Sequence, residues 1–218
     1  DPPKRVILFP ADRVAGHILV PFRGQIATIS MSGTGWQFHD GKKWSEPQPG
    51  PKWPRIEIPS DAGARAGEAK HYRLGTASAV VVGEDRIVMV RGTGYDNSRR
   101  REPRAPLVAA WLKQGKWQVA QIERQETVGL PILTLSGEAV YCFYVIQAAE
   151  DNQYRVCFRR FVDGKWGERV RLATEPFRIN HLAAPQISPP SYAALFYDQW
   201  VNDFKKPSVV RFIRVPNR

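Results

Sequence analysis

The chain has 218 residues, with 32 lysines and arginines against 21 aspartates and glutamates, a formal charge of +11. A hydrophobic fraction of 43% with seven tryptophans supplies a core and excludes global disorder. No apolar run approaches the roughly 20 residues that cross a bilayer as a helix, no basic-then-apolar leader opens the sequence, and two cysteines are too few for a disulfide scaffold or a cysteine-built zinc site.

Helical spacing is nearly absent, and short β-rich runs alternate with turn residues. Residues 5–9 form an isolated β-rich run. A compressed first repeat follows at about 14–50, and residues 47–70, rich in proline, glycine and alanine, read as an irregular excursion. The second repeat, 74–124, has strands at 76–82, 86–93, 106–112 and 117–123, with its central loop enlarged by 94–105. The third, 128–174, has strands at 128–133, 139–147, 154–162 and 166–173. The fourth, 179–216, has strands at 181–187, 192–198 and 208–215 and stops without a fourth strand. The second and third units have the order of a four-stranded propeller blade, and the third has its length. The expected fold is therefore a single all-β domain, a β-propeller of about four blade units. The run at 5–9 could supply the missing outer strand and close the ring. A β-sandwich is the alternative.

The repeats share a signature. Phe38-His39-Asp40-Gly41-Lys42-Lys43-Trp44, Trp111-Leu112-Lys113-Gln114-Gly115-Lys116-Trp117 and Phe161-Val162-Asp163-Gly164-Lys165-Trp166 each read as a strand, a glycine–lysine turn and a tryptophan opening the next strand. Glycine suits the positive φ of such turns, and the tryptophan covers the edge of the sheet core. This pattern resembles the repeats of sialidase-like BNR propellers, and Ser32-Gly33-Thr34-Gly35-Trp36 is similar to an Asp-box lacking its aspartate. The resemblance implies an extracellular propeller that acts on or binds carbohydrate. It covers most of the chain as architecture. No copy of the sialidase arginine triad with its tyrosine–glutamate pair accompanies it. Four blades are few for that family, so the chain is a compact ring or a portion of a larger one.

Candidate chemistry gathers at the ends of strands. His71-Tyr72-Arg73 precedes the first strand of the second unit, and His181 holds the matching place in the fourth. A base beside a cation is what proton abstraction next to a uronate carboxylate requires. His71, Tyr72 and His181 are thus the proton-transfer candidates, with Asp198 as a further catalytic carboxylate. Arg73 and Arg91 are placed to hold a carboxylate. Tyr95, Asp96, Tyr197 and Trp200 combine rings with polar groups as sugar binding does, and Arg99 lies in an arginine-rich loop. Arg155, Arg159 and Arg160 lie on one strand. Arginine recognises carboxylate and sulfate in bidentate fashion. Each of these has a plainer reading as turn chemistry or solvated surface.

Cys142 and Cys157 lie in the hairpin of the third unit. Closure between Gln147 and Asn152 would bring them face to face, within reach of a cross-strand disulfide. The functional expectation is a carbohydrate-active propeller, a glycoside hydrolase or polysaccharide lyase acting on an acidic glycan. The alternatives are a lectin-like propeller and an interaction scaffold with a basic face. No cofactor or metal is expected, the partner is an acidic oligo- or polysaccharide rather than nucleic acid, and the location is secreted or periplasmic. Nothing in the residues specifies an oligomeric state.

Overall fold

The computed structural model describes residues 17–30, 35–56, 76–92, 105–127, 131–147, 153–199 and 209–217. Among them the chain is all β, without a helix. The first antiparallel meander comprises β1 (His17–Phe22), β2 (Gln25–Ser30) and β3 (Trp36–His39). The second comprises β4 (Thr76–Val82), β5 (Arg86–Gly92), β6 (Ala105–Lys113) and β7 (Lys116–Thr127). The third comprises β8 (Ile132–Ser136), β9 (Ala139–Gln147), β10 (Tyr154–Val162), the two-residue β11 (Lys165–Trp166) and β12 (Val170–Glu175). In the fourth, β13 (Ile179–Ala183) pairs with β15 (Tyr192–Gln199) and β15 with β16 (Val209–Pro216). The short β14 (Ile187–Ser188) leaves that sheet and pairs in parallel with β8.

Local chemistry explains most of these boundaries. Alternating apolar residues specify the strands, and the turns at Arg23-Gly24, Gln114-Gly115 and Asp163-Gly164 put both central residues at positive φ, for example 53° and 81° at Asp163-Gly164. That primed geometry matches the right-handed twist of the flanking strands. The strands expected at 76–82, 139–147 and 154–162 have those bounds. The strand expected at 128–133 runs instead from Ile132 to Ser136, because only Gly137-Glu138 is needed for its turn. The outer strand expected at 166–173 is interrupted between β11 and β12, where the Gly167 amide donates to the Arg160 carbonyl at 2.7 Å. The run at 5–9, the enlarged loop at 94–104 and residues 57–70 of the excursion lie outside the described residues.

The meanders stack face to face in chain order through three cores. Strand alternation decides which residues enter each one. Val20, Phe22, Ala27 and Ile29 of the first meander meet Ala79, Val81, Ile87 and Met89 of the second. The opposite face of the second, Val80, Val88, Val90 and Leu107, meets Val140, Cys142, Tyr144 and Ile146. Tyr141, Phe143, Val145 and Val156 then meet Leu195, Tyr197 and Val215 of the fourth. Burying one such side chain contributes roughly 1.5–3 kcal/mol before entropic costs. The first strands of the units also approach one another. The Leu133 amide of β8 donates to Ser78 Oγ of β4 at 3.0 Å, and Gln186 Nε2 reaches the Leu19 carbonyl of β1 at 3.4 Å. The second and third meanders are joined into one ten-stranded sheet by the pairing of Thr127 with Ile146, and among the described residues none of the sheets closes on itself.

The cysteine expectation is corrected by the register. The hairpin between β9 and β10 closes at Gln147 and Tyr154, two residues later than a closure at Asn152. Cys142 therefore lies opposite Arg159, and Cys157 lies opposite Tyr144. Both are buried free thiols. Burial pushes the Cys142 thiol strongly upward, and the Cys157 thiol up to about 11.

Candidate functional site

The sixth residue of the second strand in each of the last three meanders is Arg91, Tyr144 or Tyr197. Each faces the preceding meander and meets its outer strand or segment. Arg91 places its guanidinium 5.3 Å from the Trp53 ring centre, and burial lowers its pKa. The Tyr144 hydroxyl donates to Glu123 Oε2 on β7 at 2.9 Å. The Tyr197 hydroxyl donates to Glu175 Oε1 on β12 at 2.6 Å. Burial and the adjoining carboxylate raise the pKa of both tyrosines. These contacts latch one meander to the next. Tyr197, read from the sequence as a binding ring, is 3% exposed and offers no open ring face, and Arg91 lies against the Trp53 ring.

The two glutamate latches have different surroundings. Glu175 is buried and accepts from Tyr197 and from Gln199 Nε2, and it forms an ion pair with Arg211, whose Nε lies 3.1 Å away and donates to Gln199 Oε1. Glu123 is equally buried but meets two arginines, Arg159 Nη2 at 3.5 Å and Arg169 Nη1 at 3.6 Å. Beside it, residues of the second and third meanders enclose a cleft of about 650 Å³. Trp111, Gln121, Ile122, Glu123 and Arg124 line one side, and Arg159, Gly164, Lys165 and Trp166 the other. The tryptophans are half-buried and held through Phe161, at ring-centre distances of 5.4 and 5.0 Å. Arg159 Nη1 donates to the Gly167 carbonyl at 2.7 Å. Arg159 Nε and Trp166 Nε1 have no acceptor among the described residues.

Of the three arginines read on β10, alternation sends Arg155 and Arg159 to the cleft side. Arg160 goes to the other face, where it donates to Asn217 Oδ1 at 3.0 Å beside the Tyr141 ring. A β-bulge between Val156 and Cys157 pairs Val156 with Ala173 and Cys157 with Arg171. The extra residue, Leu172, turns inward to the core with Ala173, and Arg171 joins the side of Arg155. A second, smaller concavity of about 270 Å³ results, lined by Ile146, Arg155, Cys157, Arg169 and Arg171.

His181 and Asp198 are brought together on the fourth meander. The His181 amide donates to Asp198 Oδ1 at 2.7 Å, and His181 Nδ1 lies 3.1 Å from Oδ2. The histidine side chain is 75% exposed. His71, Tyr72, Arg73, Tyr95, Asp96, Arg99 and Trp200 lie outside the described residues, as does the segment 31–34 of the Asp-box-like motif. Among the described residues no three His, Cys, Asp or Glu side chains gather where a metal could be held.

No family model matches the chain. Over 138 residues it is 29% identical to a lycopene beta-cyclase of Pseudescherichia vulneris, a stretch that is 62% of this chain and 33% of that protein. The chain thus spans about a third of the length of that curated relative. Among solved structures it is similar to an ulvan lyase of a new polysaccharide lyase family, bound to -[GlcA(1-4)Rha3S]-. The TM-score is 0.43 at 15% identity, over 80% of this chain and 40% of that one.

Sequence reasoning singled out Trp111, Trp166 and Arg159, but as repeat and surface residues. It missed Glu123, Glu175, Arg124, Arg169 and Arg171. Their roles arise between sheets or from a bulge, which strand periodicity does not encode. One signal was available: Arg91, Tyr144 and Tyr197 share a position in aligned repeats, and a buried tyrosine hydroxyl needs a partner.

Proposed function

We propose that this chain is an acidic-glycan-binding domain. Its meanders form an arc of a β-propeller of the BNR kind, and it works outside the cytoplasm. The observation that carries the binding reading is the cleft between the second and third meanders. Half-buried Trp111 and Trp166 stand there beside Arg124, Arg159 and Lys165. Aromatic rings stack on the apolar faces of sugar rings, and guanidinium and ammonium groups bond the acidic substituents. The cleft's own carboxylate, Glu123, is occupied by Tyr144, Arg159 and Arg169, which favours retention of a ligand over acid–base chemistry at this place.

The test is calorimetric titration with a panel of uronate polysaccharides at about 150 mM salt, where exposed charges are screened within roughly 8 Å. Binding that weakens about tenfold in Trp166→Leu and in Lys165→Ala supports the reading, each loss equivalent to about 1.4 kcal/mol. Binding that vanishes at this salt, or ignores both substitutions, overturns it.

A second reading, catalysis, is favoured by the His181–Asp198 pair. A carboxylate on Nδ1 orients an imidazole and leaves Nε2 for proton transfer. An unsaturated product absorbing in the ultraviolet indicates a lyase and new reducing ends indicate a hydrolase. Either should disappear in His181→Ala.

A further inference from the structure

The two ends of the stack carry faces that match the interfaces inside it. In each packed interface the odd positions of one meander's second strand meet the even positions of the next meander's, because alternation gives a strand one face for each neighbour. The fifth residue and its cross-strand partner follow this rule. Ile29 opposite Trp36, Val90 opposite Ala109 and Phe143 opposite Phe158 each pack against the following meander. In the fourth meander the same place holds Phe196 opposite Phe212, stacked with ring centres 4.6 Å apart. Phe143 and Phe158 are 0% and 8% exposed, whereas Phe196 and Phe212 are 42% and 44% exposed. Val210 on the same face is exposed further, and Arg214 lies over the Phe212 ring at 5.4 Å. Asp198, the seventh residue, holds His181 at the polar end of this face.

The other end is the complement. The second residue of each second strand faces the preceding meander, and Ile87, Val140 and Ala193 are buried there. Ile26 holds that place in β2 and is exposed, as is Leu19 of β1 on the same face. The smaller Thr28, opposite Leu19 on the middle strand, is buried. The two ends do not cover each other within one molecule. Gln186 Nε2 reaches the Leu19 carbonyl at 3.4 Å, yet Leu19, Ile26, Phe196 and Phe212 all stay exposed. Apolar side chains clustered on an open sheet face favour association. We infer that the odd face of the fourth meander docks the even face of the first meander of a second copy of this chain. The contact continues the interface already repeated inside the stack, and it joins unlike faces, so it closes into a ring or runs on from copy to copy. Pairing two fourth-meander faces instead would bring two copies of Arg214 into one apolar patch, which like charge disfavours. The inference is independent of glycan binding.

The experiment is sedimentation velocity of the full chain from about 1 to about 100 μM. It compares wild type, Phe212→Glu on one face, Ile26→Glu on the other, and an equimolar mixture of the two variants. Phe212→Ser removes the ring without adding a charge, and circular dichroism checks that each variant is folded. Wild type should associate as its concentration rises. Each glutamate variant alone should associate about thirtyfold more weakly, and Phe212→Ser should weaken in the same direction. The mixture should form dimers, because each variant keeps the face that the other has lost. A wild type that stays monomeric throughout overturns the inference. So does association lost in Phe212→Glu but untouched in Ile26→Glu, which marks the pairing of like faces. A mixture that remains monomeric overturns it as well, and so does a folded Phe212→Ser chain that associates as wild type does. None of these results bears on the glycan titration, which reads the Trp111–Trp166 cleft between the second and third meanders.

Discussion

The Glu123 and Glu175 latches are the same device built twice. In each, a buried glutamate on the outer strand of one meander accepts from the sixth residue of the next meander's second strand and pairs with an arginine. At Glu175 the account closes: Gln199 completes the hydrogen bonding, and Arg211 answers the carboxylate charge. At Glu123 a second arginine takes part, beside an open cleft. The shared part of the device holds the stack together. The departure from it, a second arginine beside a cleft, marks the candidate site.

The largest expected effect belongs to the closed latch. Glu175→Ala strands the buried Tyr197 hydroxyl and Gln199 amide and should lower stability by about 2–4 kcal/mol in urea denaturation. A loss below about 1 kcal/mol, as for an exposed ion pair, would contradict a structural role for this latch. Alkaline pH should weaken the stack next. The folded state keeps protons on Cys157, raised from an ordinary 9.0 to about 11, and on Tyr144 and Tyr197, raised above 10.0. The unfolded chain releases them sooner. This stability is therefore complete below pH 9 and drains away as pH climbs toward 11. Melting temperature followed across that range should fall, and less steeply in Cys157→Ala.

Removing only the hydroxyl probes whether the latches are structurally equivalent. Tyr144→Phe and Tyr197→Phe should each cost about 1–2 kcal/mol, and widely unequal losses would separate them. Glu123→Gln against Glu175→Gln then asks which latch adjoins a ligand. Glu123→Gln increases the local positive surplus and should tighten acidic-glycan binding by about three- to tenfold, whereas Glu175→Gln should leave affinity unchanged. Equal effects would show that the Glu123 latch adjoins the ligand no more than the Glu175 latch does. The smallest effect is expected at the first interface, where Arg91→Gln forfeits the contact with Trp53 and should lower stability by about 0.5–1 kcal/mol.

Much of the fold was legible from local pattern. The bounds of β4, β9 and β10 follow from alternation between turn residues, and the positive-φ glycines of the repeat signature form the turns foreseen for them. The candidate site was less so. Tyr197 looked like a binding ring because it lies beside Asp198 near a strand end, but neighbouring strand residues face opposite ways. Asp198 therefore meets exposed His181 while Tyr197 enters the core. The cysteines were misjudged because a hairpin two residues longer in its loop moves each cysteine off its expected partner.

Short-range chemistry, read residue by residue, determined that the chain is all β, that it is built from repeated meanders, and where most strands begin and turn. Those properties depend on side-chain alternation and on φ preferences within a few positions. Only the tertiary structure decided which sheet faces which, that the sixth-position side chains latch successive meanders, and that a single bulge gathers Arg171 with Arg155 and Arg169. The physical reason is distance along the chain. Charges and hydroxyls tens of residues apart become neighbours only after the apolar faces have stacked.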